Sequence, residues 1–162
     1  MFEYCRTISN TANLVGLLFC IVRHSSGSFC APLVTSGRLA FSGDKIVAEK
    51  LIVICIPPAP TDVLVSFWRY DNLDSYSFAE LKENLERRFS FSVDDNNIKN
   101  ALHSITSKTL RVHDTDDREF PIADIFAIRE AIPILQIFTT NGSAHKKILL
   151  SHAMITLVNN IF

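Results

Sequence analysis

Apolar positions between Thr61 and Lys108 recur at three- and four-residue intervals, the period of a helix face. Val63, Leu64, Phe67 and Trp68 mark such a face in Thr61–Tyr70, and Phe78, Leu81 and Leu85 mark one in Ser77–Arg88. Ile98, Ala101, Leu102 and Ile105 mark a third, in Asp94–Lys108. Ser77 followed by Glu80 fits the S-x-x-E capping box and sets the start of the second helix. Beyond the third helix the period shortens to two. Thr109–His113 and Arg118–Ile122 then predict two short strands, with Asp114-Thr115-Asp116-Asp117 turning between them.

The flanks are less regular. Leu51–Ile56 is a continuous, β-branched apolar run, the pattern of a strand covered on both faces. Pro57-Pro58-Ala59-Pro60 follows and blocks helix and ladder alike, so it predicts a stiff linker and a boundary. Leu14–Val22 is too short for the roughly 20 residues a bilayer requires, and reads as a buried strand or short helix. The Ser- and Gly-rich stretch 23–43 predicts short strands joined by turns, or a poorly ordered segment. In the tail, Pro133 ends or kinks the apolar run Ala123–Phe138, and Asn141-Gly142 marks a turn. Ala144–Asn160 predicts a last helix too apolar to stand alone; it either folds back on the core or pairs with a second copy, as a homodimer. The chain thus divides into an N-terminal segment 1–59, a module 60–122 and a tail 123–162.

At 162 residues with 48% hydrophobic and 20% charged residues, the chain has the composition of an ordinary globular protein with a sizeable core. The formal charge of −1 gives no global attraction to nucleic acid or anionic membrane. Its distribution is uneven. Five basic and three acidic residues leave 1–59 at +2, eight and twelve leave 60–122 at −4, and three and two leave 123–162 at +1. Cys5, Cys20, Cys30 and Cys55 show no metal-ligand spacing and predict reduced, buried thiols in an intracellular protein, cytoplasmic or nuclear.

Chemistry-bearing clusters are few. His24 lies beside Ser25 and Ser26, but no G-x-S-x-G elbow surrounds them, so a solvated loop is expected there. Asp94 and Asp95 diverge on a helix. His113 next to Asp114 suits titration near neutrality. His145 and His152 lie seven apart without a carboxylate nearby. No nucleotide loop or metal cluster is evident, and the expectation is a protein without catalytic activity, metal or cofactor.

Helix, helix, turn, helix and two strands, in that order, resemble a winged helix-turn-helix, an α+β fold, here with an N-terminal β-containing segment and C-terminal helices. The resemblance covers 61–122. It implies a DNA-binding regulator in which helix 94–108 enters the major groove and strands 109–122 form the wing. The implied contact residues are Asn96, Asn97, Lys99, Asn100, His103, Ser104 and Ser107 on the helix, with Lys108, Arg111 and Arg118 in the wing. Acids at the wing tip and the −4 charge favour the alternative, a protein-docking module of the kind found in the winged-helix tails of cullin-type scaffolds. DNA or a protein partner, and no membrane, are the expected interactions.

Overall fold

The structure, a computed structural model, describes residues 2–15, 19–38, 46–89, 92–95, 97–132 and 135–161. Its centre is the apolar run at 51–56. Strand β2 (Lys50–Ile54) is flanked by β1 (Cys20–His24) and β3 (Lys108–Asp114), and β4 (Gln136–Thr140) completes the sheet in the order β1-β2-β3-β4. All neighbours are parallel, with Ile21 opposite Leu51, Leu51 opposite Thr109, and Leu110 opposite Gln136. The segments 1–59, 60–122 and 123–162 therefore all contribute strands to one sheet. Parallel neighbours require crossovers. Helix α2 (Ser26–Thr35) links β1 to β2, and α6 (Ile122–Ala131) links β3 to β4. Helices α3 (Pro60–Tyr70), α4 (Ser75–Phe89) and α5 (Ile98–Leu102) lie between β2 and β3.

The two-residue period of β2 divides the core. Leu51 and Val53 face a cluster built with Cys5 and Ile8 of α1 (Phe2–Val15), Phe29 and Leu33 of α2, Ile98 of α5 and Ile128 of α6. Ile52 and Ile54 face the other way, onto Leu110, Val112, Ile148 and Met154. Leu157, Val158 and Ile161 of α8 (His152–Ile161) cover that second face. The tail thus folds back on the core through this helix, and the Lys50 ammonium donates to the Ile161 carbonyl at 2.7 Å. The single helix expected over 144–160 is three pieces: α7 (Ala144–Lys147), a 3₁₀ turn (Ile148–Leu150) and α8.

The winged-helix expectation is corrected by this architecture. Segment 94–108 is not a continuous helix; α5 keeps only five residues, and Asn97 caps it by accepting the Asn100 N–H at 2.9 Å. Thr109–His113 is a strand, but one buried between two parallel neighbours, and 118–120 is bend rather than a second strand. The turn does not return the chain because Asp117 Oδ1 accepts the N–H groups of Glu119 and Phe120, leading into α6 instead. Helices α3 and α4 form where expected. They make an outlying hairpin, with Phe67 and Val63 well exposed and Trp68 packed on Phe78 at 5.3 Å. Helix α4 starts at Ser75 because Asp74, and not Ser77, caps it: its carboxylate accepts the N–H groups of Tyr76 and Ser77.

The strand covered on both faces at 51–56 is present as β2. The four cysteines are free, and Cys5, Cys30 and Cys55 are buried. Among the described residues no helix is long and apolar enough to cross a membrane. Pro133 and the stretch 39–43 lie outside the described residues.

One buried hydroxyl binds the first crossover to the sheet. Ser28 Oγ donates toward the Arg23 and Ile54 carbonyls and accepts the Ile54 N–H at 3.0 Å. Ser28→Ala leaves these groups short of a partner in a dry site, so a loss of about 1–3 kcal/mol is expected in urea unfolding. A loss under about 0.3 kcal/mol would mean the contact contributes nothing.

Candidate functional site

The loops after β1, β3 and β4 meet at the carboxyl ends of the strands, the edge where open parallel sheets carry their sites. At the end of β1 the chain turns sharply into α2. Ser25 occupies that turn with φ 54° and ψ −128°, a conformation rare for a residue with a Cβ. Three hydrogen bonds hold it there. The Ser25 N–H donates to the Ile54 carbonyl at 2.9 Å, and the Ser25 carbonyl accepts the Ser28 and Phe29 N–H groups.

Ser25 Oγ lies 2.8 Å from Nε2 of His145, which is on α7 beyond β4. The other ring nitrogen, Nδ1, lies 2.8 Å from Asp117 Oδ2, beyond β3. His145 and Asp117 are almost fully buried, whereas Ser25 is half-buried at the surface of a cleft. The carboxylate fixes the tautomer. Nδ1–H donates to Asp117, and Nε2 then accepts the Ser25 hydroxyl proton.

Two carboxylates assemble the supporting loops. Asp114 accepts the Asp116, Ser143 and Ala144 N–H groups and the Thr140 hydroxyl, so the loop bearing Asp117 is tied to the loop bearing His145. Asp116 accepts the Gly142 N–H at 3.0 Å, in a turn where Gly142 takes φ +82° at no steric cost. Burial alone would raise Asp114; the Thr140 hydroxyl and the three N–H donors outweigh it and hold the carboxyl below its usual range. Asp117 behaves likewise, with burial opposed chiefly by the His145 hydrogen bond and the Phe120 N–H.

Two further histidines support the arrangement. His24 Nε2 donates to the His145 carbonyl at 2.8 Å. His113 is fully buried, donates to the Phe120 carbonyl at 2.9 Å and stands 3.6 Å from Asp117. Desolvation lowers the proton affinity of both, against the pull of those carbonyls, so each is neutral at neutral pH.

A pH dependence follows. A histidine whose folded pKa is depressed is protonated first in the unfolded chain, so its contribution to stability is present above the ordinary value of about 6.5 and is lost as pH falls below it. Asp114 and Asp117 hold depressed pKa values too, and their stabilisation is lost below about pH 4. The urea midpoint should therefore fall in two stages between pH 7.5 and 3. A midpoint that stays level or rises from pH 7 to 5 would show that neither histidine is held neutral.

Cys55 follows β2 at φ 48° and is fully buried beside the triad. Burial pushes its thiol up to about 12, so no thiolate competes with Ser25 as nucleophile. Donor atoms of His24, Cys55 and His145, and of Cys55, His113 and Asp117, lie within 4.8 Å of one another and are the candidate metal ligands among the described residues. The hydrogen bonds above already use Asp117, both ring nitrogens of His145 and the Nε2 atoms of His24 and His113, whereas His113 Nδ1 is buried without a hydrogen-bond partner among the described residues. His145 and His152 lie on different elements, the first buried and the second exposed.

The residues expected to contact DNA are not gathered on one face. Asn96 lies outside the described residues. Asn97 caps α5, and Asn100 Nδ2 donates to the Asp95 carbonyl at 3.2 Å. Lys99, His103 and Ser104 are exposed around α5, while Ser107 donates to the Ala48 carbonyl. Lys108 opens β3, and Arg118 stands beyond the opposite end of that strand. Arg111 is fully buried, and its guanidinium donates to the Ile56 carbonyl at 2.8 Å.

The cluster that does converge, Ser25, Asp117 and His145, is not among the residues the sequence reading singles out. That reading places Ser25 in a solvated loop, because no G-x-S-x-G elbow surrounds it, and Asp117 at a wing tip. A usable signal was present: an apolar strand run into S-x-G and then an apolar helix, followed by Asp and His in that order, the chain order of this triad in the G-x-S-x-G fold.

Neither a protein-family model nor a curated protein sequence matches the chain. Solved structures do. An esterase of Pyrococcus furiosus is 13% identical with a TM-score of 0.60 over 90% of this chain and 52% of its own. A metagenomic α/β hydrolase from lagoon sediment at Mar Chica, Morocco, is 14% identical with a TM-score of 0.64, over 98% and 67%. Thermogutta terrifontis esterase 2 is 14% identical with a TM-score of 0.61, over 88% and 54%; it is known with propionate or butyrate bound and phosphonylated by sarin. The chain thus spans about half the length of the Pyrococcus and Thermogutta enzymes. These neighbours overturn the expectation of a non-catalytic module that docks DNA or protein: the chain has an α/β-hydrolase-like fold.

Proposed function

We propose that the protein is a serine hydrolase that cleaves short acyl esters. The observation that carries this reading is the pair of 2.8 Å contacts joining Ser25, His145 and Asp117 at a strained strand-to-helix turn. Ser25 Oγ attacks the ester carbonyl carbon while His145 Nε2 takes its proton. Asp117 holds the imidazole and stabilises the imidazolium. The N–H of Ser26 opens α2, has no acceptor a turn earlier, and suits the developing oxyanion. His145 then protonates the departing alkoxide, leaving an acyl group on Ser25. Water, deprotonated by His145, attacks that acyl group; the bond to Ser25 Oγ breaks, His145 returns the proton to Oγ, and the carboxylic acid is released.

Short acyl groups are the expected substrates because Thermogutta esterase 2 binds propionate and butyrate. The test uses a fluorophosphonate probe, the chemistry to which that esterase is susceptible. Peptide mapping should place one adduct on Ser25, and 4-nitrophenyl butyrate should be turned over. Absence of both adduct and turnover in folded protein would refute the reading.

A further inference from the structure

We propose that this site selects esters carrying an anionic group, and that Arg23 recognises it; the proposal rests on the hydrolase reading. A cleft of about 550 Å³ opens between α1 and the carboxyl end of β1, with Ser25 and His24 at one side and Tyr4 and Ile8 of α1 at the other. Of its nine lining residues Arg23 is the one cation, none is acidic, and His24 is neutral. Among the described residues Arg23 forms no ion pair, whereas Arg6 on α1 is matched by Glu3.

The position two before the nucleophile is glycine in the G-x-S-x-G elbow. Here it carries a guanidinium whose stem lies against Gly27: a Cβ built on Gly27 would sit 3.7 Å from Arg23 Cδ, an ordinary contact. The stem therefore runs beside the first turn of α2 without displacing it. The amino end of this ten-residue helix adds positive potential on the same side. Besides Asp117, which the imidazole already matches, the carboxylate beside the ring is Glu119, with Oε2 3.6 Å from His145 Nε2. It does not line the cleft, and it disfavours an anion on the imidazole side. An anionic substituent is thus directed toward Arg23, where a planar guanidinium can bind a carboxylate bidentately.

The anion can belong to the acyl part or to the alcohol part of the ester, and two substrate pairs separate these. Mono-4-nitrophenyl glutarate against 4-nitrophenyl butyrate reads the acyl side; butyryl glycolate against ethyl butyrate reads the alcohol side. In at least one pair the anionic ester should have about tenfold higher kcat/KM, the size of one charge-assisted hydrogen bond. Arg23→Gln should reduce that ratio about tenfold, Arg23→Lys less, and added salt should lower it in the wild type. Neutral esters preferred in both pairs, or a ratio unmoved by Arg23→Gln, would overturn the proposal. Calorimetric binding of glutarate to Ser25→Ala, weakened by adding Arg23→Gln, reads anion selection without turnover. If every ester is inert and no probe adduct forms, the hydrolase reading fails, while the glutarate measurement still decides the role of Arg23.

Discussion

Ser25→Ala is expected to lower kcat/KM for 4-nitrophenyl butyrate by roughly 10⁴-fold or more and to abolish fluorophosphonate labelling, with the fold intact. The size comes from losing the covalent route altogether, because a triad acts as a unit and its remaining members cannot substitute for the nucleophile. The fold survives because the backbone contacts of residue 25, to Ile54, Ser28 and Phe29, do not involve its side chain. A second substitution tests whether strain is stored there. At φ 54° and ψ −128° a side chain is disfavoured and glycine is not, so Ser25→Gly should be equally inactive yet more stable than Ser25→Ala by about 1 kcal/mol. Full turnover by the alanine variant would remove Ser25 from the mechanism.

Asp117→Asn should lower kcat by about 10⁴-fold, the loss being one of tautomer and not of position, and the variant should also lose the stabilisation that the ionised carboxyl contributes above about pH 4. Asp117 Oδ1 accepts the Glu119 and Phe120 N–H groups at 2.9 and 3.0 Å. An asparagine must keep its oxygen there and so turn its amide nitrogen toward His145 Nδ1, 2.8 Å away in the native pair. Nδ1 then has to accept, the ring proton moves to Nε2, and that nitrogen can no longer take a proton from Ser25. Labelling of Ser25 should slow in parallel, since it needs the same base. Activity within tenfold of wild type would show that the imidazole is oriented by other groups, with His24 holding its backbone carbonyl.

The contrast between Asp117 and Asp114 separates chemistry from construction. Both are buried carboxylates, Asp114 closing β3 and Asp117 in the loop after it; both are held ionised by donors, and Asp114 makes more hydrogen bonds. Yet Asp114 touches only backbone and a threonine hydroxyl. It fixes the distance between the loops after β3 and β4, and through them the meeting of Asp117 with His145. The three acids at 114–117 look from sequence like a solvated turn. In the fold all three carboxylates accept backbone N–H groups, which is why an acidic cluster is tolerated in so small a volume.

Much local structure was legible in the residues. The continuous β-branched run at 51–56 determined a strand buried on both faces, and the Pro-rich stretch after it determined a break. The 3.6-residue period gave helices α3 and α4 to within a few residues, and Asn141-Gly142 gave the loop beyond β4. These are short-range effects: period, capping and φ preference act within a few residues of each other. Tertiary structure alone decided which strand lies beside which. Thr109–His113 has the same alternation whether it pairs with a following hairpin strand or with parallel β2 and β4, and only burial of Leu110 and Val112 against Ile148 and Met154 selects the second. The site was decided at the same level. Ser25 and His145 stand 120 positions apart and Asp117 and His145 stand 28 apart, and their 2.8 Å contacts exist because parallel crossovers bring three strand ends to one edge of the sheet.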